Sequence, residues 1–304
     1  MSSTRGIFII VLSGESIVAL FGNGYIALVS CIDWIKMKRI SSIDCILASL
    51  AISRICMICT LVTNGIIILW YPDIYENNQF QIVFYTVWTL INYLSMHFAT
   101  CLNVFYFLKV ANFSHPFFLW LKWRIDRVIH WLLLGCFALS LLVSLIHAIV
   151  QSYSGKFPKI VNHKGNFTEM HHMQKSQYFE PLTLFNLFAM VSFTVSLVTF
   201  FLLIISLWRH IKQMRRNATD GGDPSTEAHV RAIKLVTSFL FFFFIYCLSF
   251  LTMTFSYLMQ EQQLVIMVGE TVAILYPLCH SLILIFGNNK LRQASVRMLT
   301  CKKM

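Results

Sequence analysis

The chain has 304 residues, of which 57% are hydrophobic and only 12% are charged, and 27 of them are Phe. Soluble domains usually carry about 25% charged residues, and their surface-to-volume ratio leaves no room to hide so many apolar side chains. The composition therefore excludes an ordinary water-soluble fold and indicates a protein whose main solvent is lipid.

Seven apolar runs are long enough to cross a bilayer. A transmembrane helix needs about 20 apolar residues, and hydrocarbon offers no partner for backbone polar groups outside a helix. The runs cover residues 7–32, 43–69, 80–110, 128–150, 182–208, 232–257 and 264–286. The first run exceeds the apolar core of a signal peptide and indicates a membrane anchor. We expect an all-α membrane protein with one seven-transmembrane domain over 1–304 and a short cytoplasmic tail, 287–304.

The distribution of Lys and Arg predicts the orientation of this bundle. Eighteen of them fall in the segments 36–39, 109–127, 209–234 and 290–303, and five fall in the alternate segments. Cytoplasmic loops are enriched in Lys and Arg, so the N-terminus should lie outside the cell and the C-terminus in the cytoplasm. The net charge of +11 then reflects topology and an anionic inner leaflet, and it does not indicate nucleic-acid binding.

Two connecting segments carry readable signals. Turn-forming residues fill 218–227, where Asp223 can cap a helix with Pro224 in its first turn, so the sixth helix should begin near Pro224. Glycosylation sequons occur at Asn112, Asn166 and Asn217. Because the modification occurs only on the lumenal side, the predicted topology leaves Asn166 as the one plausible site.

Ionisable residues inside the apolar runs are costly and usually face the interior of a bundle. Arg54 lies eleven residues beyond Ile43, or ~16 Å along a helix, which is too deep for its head group to reach water. Asn23 in the first run and His280 or Ser281 in the seventh lie at comparable depth. These residues predict a hydrogen-bond network, either purely structural or able to rearrange on activation.

A small-molecule pocket is a second hypothesis. Trp88 and Asn92 are one turn apart and share a face of the third helix. Glu270 lies about six residues into the seventh run, or ~9 Å below the outer surface. An indole, an amide and a carboxylate among apolar walls are typical of a ligand site, although a lone Trp at helical spacing is more often packing.

Catalysis has little support in the sequence. There is no metal-ligand cluster with a recognised spacing, no Gly-rich phosphate loop and no nucleophile–base pair in one stretch. None of the nine Cys residues falls in a predicted outer segment, so a disulfide framework is not expected. We therefore expect no enzymatic activity, no cofactor and no bound metal.

Short motifs along almost the whole chain resemble the bitter taste (type 2 taste) receptors. The motifs of rhodopsin-like receptors, such as Asp-Arg-Tyr after the third helix and Asn-Pro-x-x-Tyr in the seventh, do not occur. The segments that carry the resemblance are LAISR at 50–54, ATCLNVFYFLK at 99–109, ANFSHPFFLWLKWRI at 111–125, SLWRHIK at 206–212, EAHVRAIK at 227–234, YPLCHS at 276–281 and GNNKLR at 287–292. Each is modest alone, and together they are specific.

The resemblance implies a G-protein-coupled receptor of the cell membrane that binds bitter small molecules and activates a gustducin-type heterotrimeric G protein. It implies a ligand site at Trp88, Asn92 and Glu270, with a toggle-like aromatic at Tyr246. The G-protein face it implies comprises Tyr106, Lys109, His210, His229 and Lys234. The outer-loop sequon of the family corresponds to Asn166.

Two alternatives remain open at this point. Vomeronasal type 1 receptors share the architecture, but the LAISR and HS segments favour the taste family. A transporter or channel should show repeated halves or helices broken near the midplane, and the seven runs show no such symmetry.

Overall fold

The computed structural model describes residues 3–37, 41–71, 74, 78–154, 167–216, 224–256 and 262–301, and all regular structure within them is helical. Seven of the helices are long and two are short. In chain order they are α1 (Ser3–Met37), α2 (Ser42–Trp70), α3 (Asn78–Val110), α4 (Pro116–Trp123), α5 (Ile125–Ser154), α6 (Phe167–Arg216), α7 (Pro224–Ser256), α8 (Gln262–Gly287) and α9 (Asn289–Cys301).

Six of the long helices contain a stretch apolar enough to span a membrane, and the seventh span depends on α8. Its segment Thr271–Gly287 passes the same test when taken together with Asn289–Arg297, from which it is separated by a bend of 82°. The described residues therefore form an all-helical bundle with six to seven membrane-spanning helices, consistent with a seven-transmembrane receptor. The lipid-facing surface is apolar, with Phe21 77% and Phe286 70% exposed.

The helix α3 occupies the centre of the bundle, where it packs against α2, α5, α6 and α7. The remaining contacts close the bundle, because α1 packs on α2 and α8, and α7 packs on α6 and α8. The interior is apolar and aromatic, with Tyr93, Phe239 and Phe243 almost completely buried. Pro277 inside α8 removes one backbone hydrogen bond from the middle of that helix.

The structure differs from the sequence interpretation at the ends of the helices. The fifth predicted run, 182–208, is the apolar part of a 50-residue helix, because an apolarity criterion detects only the part of a helix that lies in lipid. The start of α7 at Pro224 agrees with the turn residues before it. The tail, for which the sequence analysis predicted no helix, contains α9.

The two short helices have clear local causes. At the start of α4, His115 Nδ1 accepts a hydrogen bond from the Phe117 amide at 3.3 Å, and Pro116 occupies the first turn. At the start of α9, Asn288 Oδ1 accepts from the Lys290 amide at 2.9 Å. Both are N-caps, which satisfy amides that would otherwise have no partner in the helix.

Candidate functional site

A buried hydrogen bond joins α3 to α7 near the middle of the bundle, in the half that contains the start of α3. The Tyr246 hydroxyl donates to Asn92 Oδ1 at 2.8 Å, and both residues are 2% exposed. Asn92 Nδ2 also donates to the Trp88 carbonyl oxygen at 2.9 Å. The Asn92 side chain thus forms a hydrogen bond at its oxygen and another at its nitrogen, so a ligand that donates to the oxygen either uses its second lone pair or displaces the Tyr246 hydroxyl.

Aromatic rings surround this hydrogen bond. The Trp88 ring is half-buried, and its centroid lies 5.7 Å from that of Phe250. Phe250 in turn lies 4.7 Å from the Tyr246 ring. We call Trp88, Asn92, Tyr246 and Phe250 the aromatic–amide cluster. It combines apolar walls with few polar groups, the combination that small-molecule sites use.

The structure brings three of the four predicted ligand residues together. Glu270 lies in the first half of α8, but its side chain is outside the described part of the structure. Phe250 belongs to the cluster and was missed, because its signal in the sequence is only its position four residues after Tyr246. That spacing places two aromatic residues on one helix face.

Arg54 and His280 form the second polar group of the bundle. Arg54 on α2 is completely buried, and its Nη2 lies 2.6 Å from His280 Nδ1 on α8. Arginine has only donors, so Nδ1 must accept, and His280 is therefore a neutral imidazole protonated on the other nitrogen. The guanidinium carbon also lies 5.5 Å from the centroid of the Tyr276 ring, within the range of a cation–π interaction.

The other two residues of the predicted network bond locally. Asn23 Nδ2 donates to the Ala19 carbonyl oxygen at 2.8 Å, and Ser281 Oγ donates to the Leu278 carbonyl oxygen at 2.8 Å. In the described residues no hydrogen bond joins either side chain to Arg54. Ser281 still has a packing role, because a Cβ on Gly22 would lie only 3.2 Å from its Oγ.

A ladder of aromatic rings connects the aromatic–amide cluster with Arg54 and His280. The Tyr246 and Tyr276 centroids are 5.2 Å apart, and those of Phe243 and Tyr276 are 5.7 Å apart. Phe239 completes the ladder, with its centroid 5.1 Å from that of His280. Tyr276 is the junction, since it contacts the Tyr246 ring and also lies under the Arg54 guanidinium.

The opposite end of the bundle, which we call the tail end, carries the predicted G-protein residues. It holds the last turns of α3 and α6, the first turns of α7, and α9. The Asn112 amide donates to Ser206 Oγ at 3.0 Å, which ties the end of α3 to α6. A Cβ on Gly287 would meet Leu235 Cδ2 at 2.5 Å, so α7 closely approaches the bend before α9.

Within the tail end, the predicted residues differ in exposure. Lys109 and Lys234 are exposed, whereas Tyr106 and His210 are half-buried. The Lys109 ammonium lies 5.4 Å from the Phe105 ring centroid. His229 lies in the first turns of α7, with its side chain outside the described residues. The structure thus places the helix segments of all five at one end.

Electrostatic contacts that sequence reasoning missed also hold the tail end together. Lys290 Nζ on α9 lies 2.5 Å from Asp44 Oδ1 on α2. Ser42 Oγ donates to Asp126 Oδ1 at 2.5 Å, which links α2 to α5. These pairs are separated by tens to hundreds of residues, so no local motif identifies them.

A lysine contact closes the loop before α4. Lys122 Nζ donates to the Ala111 carbonyl oxygen at 2.7 Å. Partial burial lowers the pKa of the Lys122 ammonium, because desolvation disfavours its charged form.

Two further predictions fall partly or wholly outside these clusters. Asn166 lies outside the described residues. In the described part of the chain, no group of three or more His, Cys, Asp or Glu side chains could hold a metal ion.

Comparison with known proteins gives consistent matches. A family model described as taste receptor protein (TAS2R) matches residues 1–303. Taste receptor type 2 member 8 of Homo sapiens is 62% identical over 303 residues, which cover 100% of this chain and 98% of that relative. The same receptor of Gorilla gorilla gorilla is 63% identical over 303 residues, with the same coverage. Taste receptor type 2 member 7 of Papio hamadryas is 49% identical over 288 residues, 94% of this chain and 90% of the relative.

Proposed function

This chain belongs to the type 2 taste receptor family, the bitter taste receptors, and from that premise we propose where it binds its agonists and how it signals. The family is one of multi-pass membrane receptors that bind ligands and couple to G proteins, and it is not an enzyme family. We assign agonist binding to the aromatic–amide cluster and coupling of a gustducin-type G protein to the tail end.

The proposed orientation follows from charge. The segments that lead into or out of the helices at the tail end, 36–39, 109–127, 209–234 and 290–303, carry 18 of the 24 Lys and Arg residues of the chain. Cytoplasmic surfaces of membrane proteins are enriched in both. The tail end then faces the cytoplasm at the cell membrane, and the start of α3 faces outward. The whole chain acts as one receptor domain, because all seven long helices contribute to one bundle.

The hydrogen bond between Tyr246 and Asn92 is the observation that carries the proposal. It joins two helices, it is buried, and it lies beside the half-buried Trp88. A ligand that packs on Trp88 and donates to Asn92 Oδ1 in place of the Tyr246 hydroxyl breaks this bond, so that α7 is freed from α3 at this point. Ligand binding can then favour a second arrangement of the helices, as a population shift requires.

The aromatic ladder offers a physical route from that bond to the cytoplasm. A displaced Tyr246 ring would move against Tyr276, whose ring packs under Arg54. Tyr276 immediately precedes Pro277, where α8 lacks a backbone hydrogen bond. A change at the cluster therefore reaches the α2–α8 contact, and from there the tail end, through packed rings and one weakened helix turn.

The exposed cations of the tail end are suited to an acidic partner surface. Lys109 near the end of α3 and Lys234 near the start of α7 are exposed, and Tyr106 and His210 at the same end of the bundle are half-buried. In this proposal, separation of α7 from α3 would change the distance between these two cations. The change would make the surface fit a G protein in the active arrangement only.

Dose–response curves test the ligand site. Trp88→Ala removes the largest apolar wall and should reduce agonist potency about 30-fold, since a well-packed aromatic anchor is worth ~2 kcal/mol. Asn92→Ala should weaken agonist binding by about 1 kcal/mol, because it removes one hydrogen-bonding group. Glu270→Gln keeps the shape and removes the charge, so it should weaken cationic agonists and spare neutral ones.

The experiment uses one cationic and one neutral bitter agonist in cells with a chimeric G protein, and surface expression is measured for each variant. If all three variants reach the surface and neither curve moves, the aromatic–amide cluster is not the agonist site. Equal losses for both agonists in Glu270→Gln would mean that this carboxylate supports the helix bundle.

A further inference from the structure

Arg54 is a buried cation for which the described residues supply no anionic partner. Its side chain is 0% exposed, and a guanidinium remains charged in proteins. The carboxylates of Asp44 and Asp126 are bonded at the tail end. Glu15 lies on α1 seven residues before Gly22, which packs at the level of Ser281. That offset is ~10 Å along the helix. Glu15 interacts electrostatically with Cys279, the residue before His280, but no ion pair joins it to Arg54 in the described residues.

His280 cannot neutralise this charge. Its Nδ1 accepts a hydrogen bond from Arg54 Nη2 at 2.6 Å, which fixes the imidazole as neutral but gives it no negative charge. The cation–π contact with Tyr276 offsets part of the desolvation cost and no more. An uncompensated buried charge is strongly destabilising, so a helix bundle that keeps one needs a further partner for it.

The unused hydrogen-bond donors lie on the same group. Arg54 Nε and Nη1 are buried and have no hydrogen-bond partner among the described residues. The Tyr276 hydroxyl lies near enough to the guanidinium to interact with it, but it too has no hydrogen bond of good geometry in the described residues. The Tyr276 ring faces the guanidinium at 5.5 Å, so the three donors belong to one small region between α2 and α8. Buried donors without partners are rare in native proteins.

We infer that this region binds one small monovalent anion, with chloride as the ion to test. An anion accepts hydrogen bonds from Arg54 Nε, Arg54 Nη1 and the Tyr276 hydroxyl, and it supplies the negative charge that the described residues lack. The anion joins α2 to α8 directly below the aromatic ladder. It therefore stabilises the arrangement in which Tyr276 packs against both Arg54 and Tyr246.

A water molecule is the competing occupant. A water could accept hydrogen bonds from Arg54 and so satisfy its donors, but it would leave the charge uncompensated. The two occupants differ in one measurable respect, since only the anion makes stability depend on the salt that is present.

Thermal unfolding of the purified full-length receptor in lipid nanodiscs tests this inference. Sodium chloride is titrated against sodium gluconate at constant ionic strength, because gluconate has the same charge and is too large for a buried site. Chloride at ten times its Kd should raise the Tm by about 3 °C. The rise should saturate with concentration, and gluconate should give none.

Variants locate the site. Tyr276→Phe keeps the ring and deletes one donor, so it should raise the Kd for chloride about tenfold or more. Arg54→Gln should abolish the chloride dependence. Tyr25→Phe is the matched control, because it removes a tyrosine hydroxyl bonded at 2.6 Å to the Leu291 carbonyl oxygen at the tail end. It should lower the Tm and leave the chloride dependence unchanged.

Three results would overturn the inference. The first is equal stability of the wild-type receptor in chloride and gluconate, which would assign the donors to water. The second is an undiminished chloride effect in Tyr276→Phe, which remains informative if Arg54→Gln does not fold. The third is an equal loss of the chloride effect in Tyr25→Phe, which would indicate a general effect of destabilisation.

Discussion

Polar groups are stabilised differently in the middle of the bundle and at its tail end. In the middle, Asn92, Tyr246, Arg54 and His280 are all at most 2% exposed and bond to each other across helices. At the tail end, the Lys290 side chain that contacts Asp44 is 34% exposed, so water can solvate either charge when its partner is removed. Polar substitutions should therefore have large and specific effects in the middle and small, salt-dependent effects at the tail end.

The largest effect is expected at Arg54. Arg54→Ala removes a completely buried side chain and leaves His280 Nδ1 without its donor, which together should lower the free energy of unfolding by about 3 kcal/mol. The expected outcome is a severalfold loss of surface expression or of signalling. Arg124→Ala is the control, since Arg124 is exposed at the end of α4. Wild-type expression and response in Arg54→Ala would show that this part of the contrast is wrong.

Tyr246→Phe should have the next largest effect. It deletes only the hydroxyl that donates to Asn92 and should cost about 1 kcal/mol. Because the lost bond holds α7 to α3 without agonist, we expect ligand-independent G-protein activation to rise about fivefold, corrected for surface expression. Ser249→Ala is the control, since Ser249 Oγ bonds within α7, to the Tyr246 carbonyl oxygen at 2.7 Å. Unchanged basal activity in Tyr246→Phe would mean that the bond does not restrain the receptor.

A smaller effect is expected for the ion pair between Asp44 and Lys290. A double-mutant cycle with Asp44→Asn and Lys290→Gln should give a coupling free energy of about 0.5 kcal/mol, because partly exposed pairs are weak. The coupling should shrink further when the ionic strength is raised. A coupling above about 2 kcal/mol that resists salt would place this pair with the buried contacts and remove the difference between the two regions.

The smallest functional effect is expected at Asn166, where the readout concerns topology. We predict a glycan at Asn166 alone, because it combines a sequon with the predicted lumenal loop. Asn166→Gln should remove the glycosidase-sensitive shift in electrophoretic mass and leave agonist potency nearly unchanged. A shift that survives in this variant but disappears in Asn112→Gln would reverse the proposed orientation of the two ends.

Much of the fold can be predicted from the sequence, because the thickness of the bilayer sets the length of each apolar helix. The seven runs were located from apolarity, and the start of α7 from the turn residues before Pro224. The helix α9 was missed, since it is amphipathic and its start depends on the Asn288 cap. The short helix α4 was not predicted for a similar reason, because His115 is not among the residues that usually cap the start of a helix.

The candidate site was only partly readable. Arg54 and His280 could be paired from their depth, because a buried guanidinium must find an acceptor at the same level. Asn23 was paired with Arg54 by the same argument, yet it bonds within α1, since depth does not fix the rotation of a helix. The bond between Tyr246 and Asn92 joins residues 154 positions apart, and no local pattern encodes it. The family match supports the taste receptor interpretation over the vomeronasal and transporter alternatives.

The assignment of agonist binding to the aromatic–amide cluster and of G-protein coupling to the tail end has a direct test. Agonist-driven G-protein activation is measured in nanodiscs for Trp88→Ala and Lys234→Ala side by side. We predict that Trp88→Ala raises the agonist concentration for half-maximal activation about 30-fold. At saturating agonist it should reach the same maximal rate as wild type. Lys234→Ala should lower the maximal rate and leave agonist binding within about twofold of wild type. The same kind of loss in both variants, or a potency shift in Lys234→Ala alone, would contradict the assignment of agonist and G protein to opposite regions of the bundle.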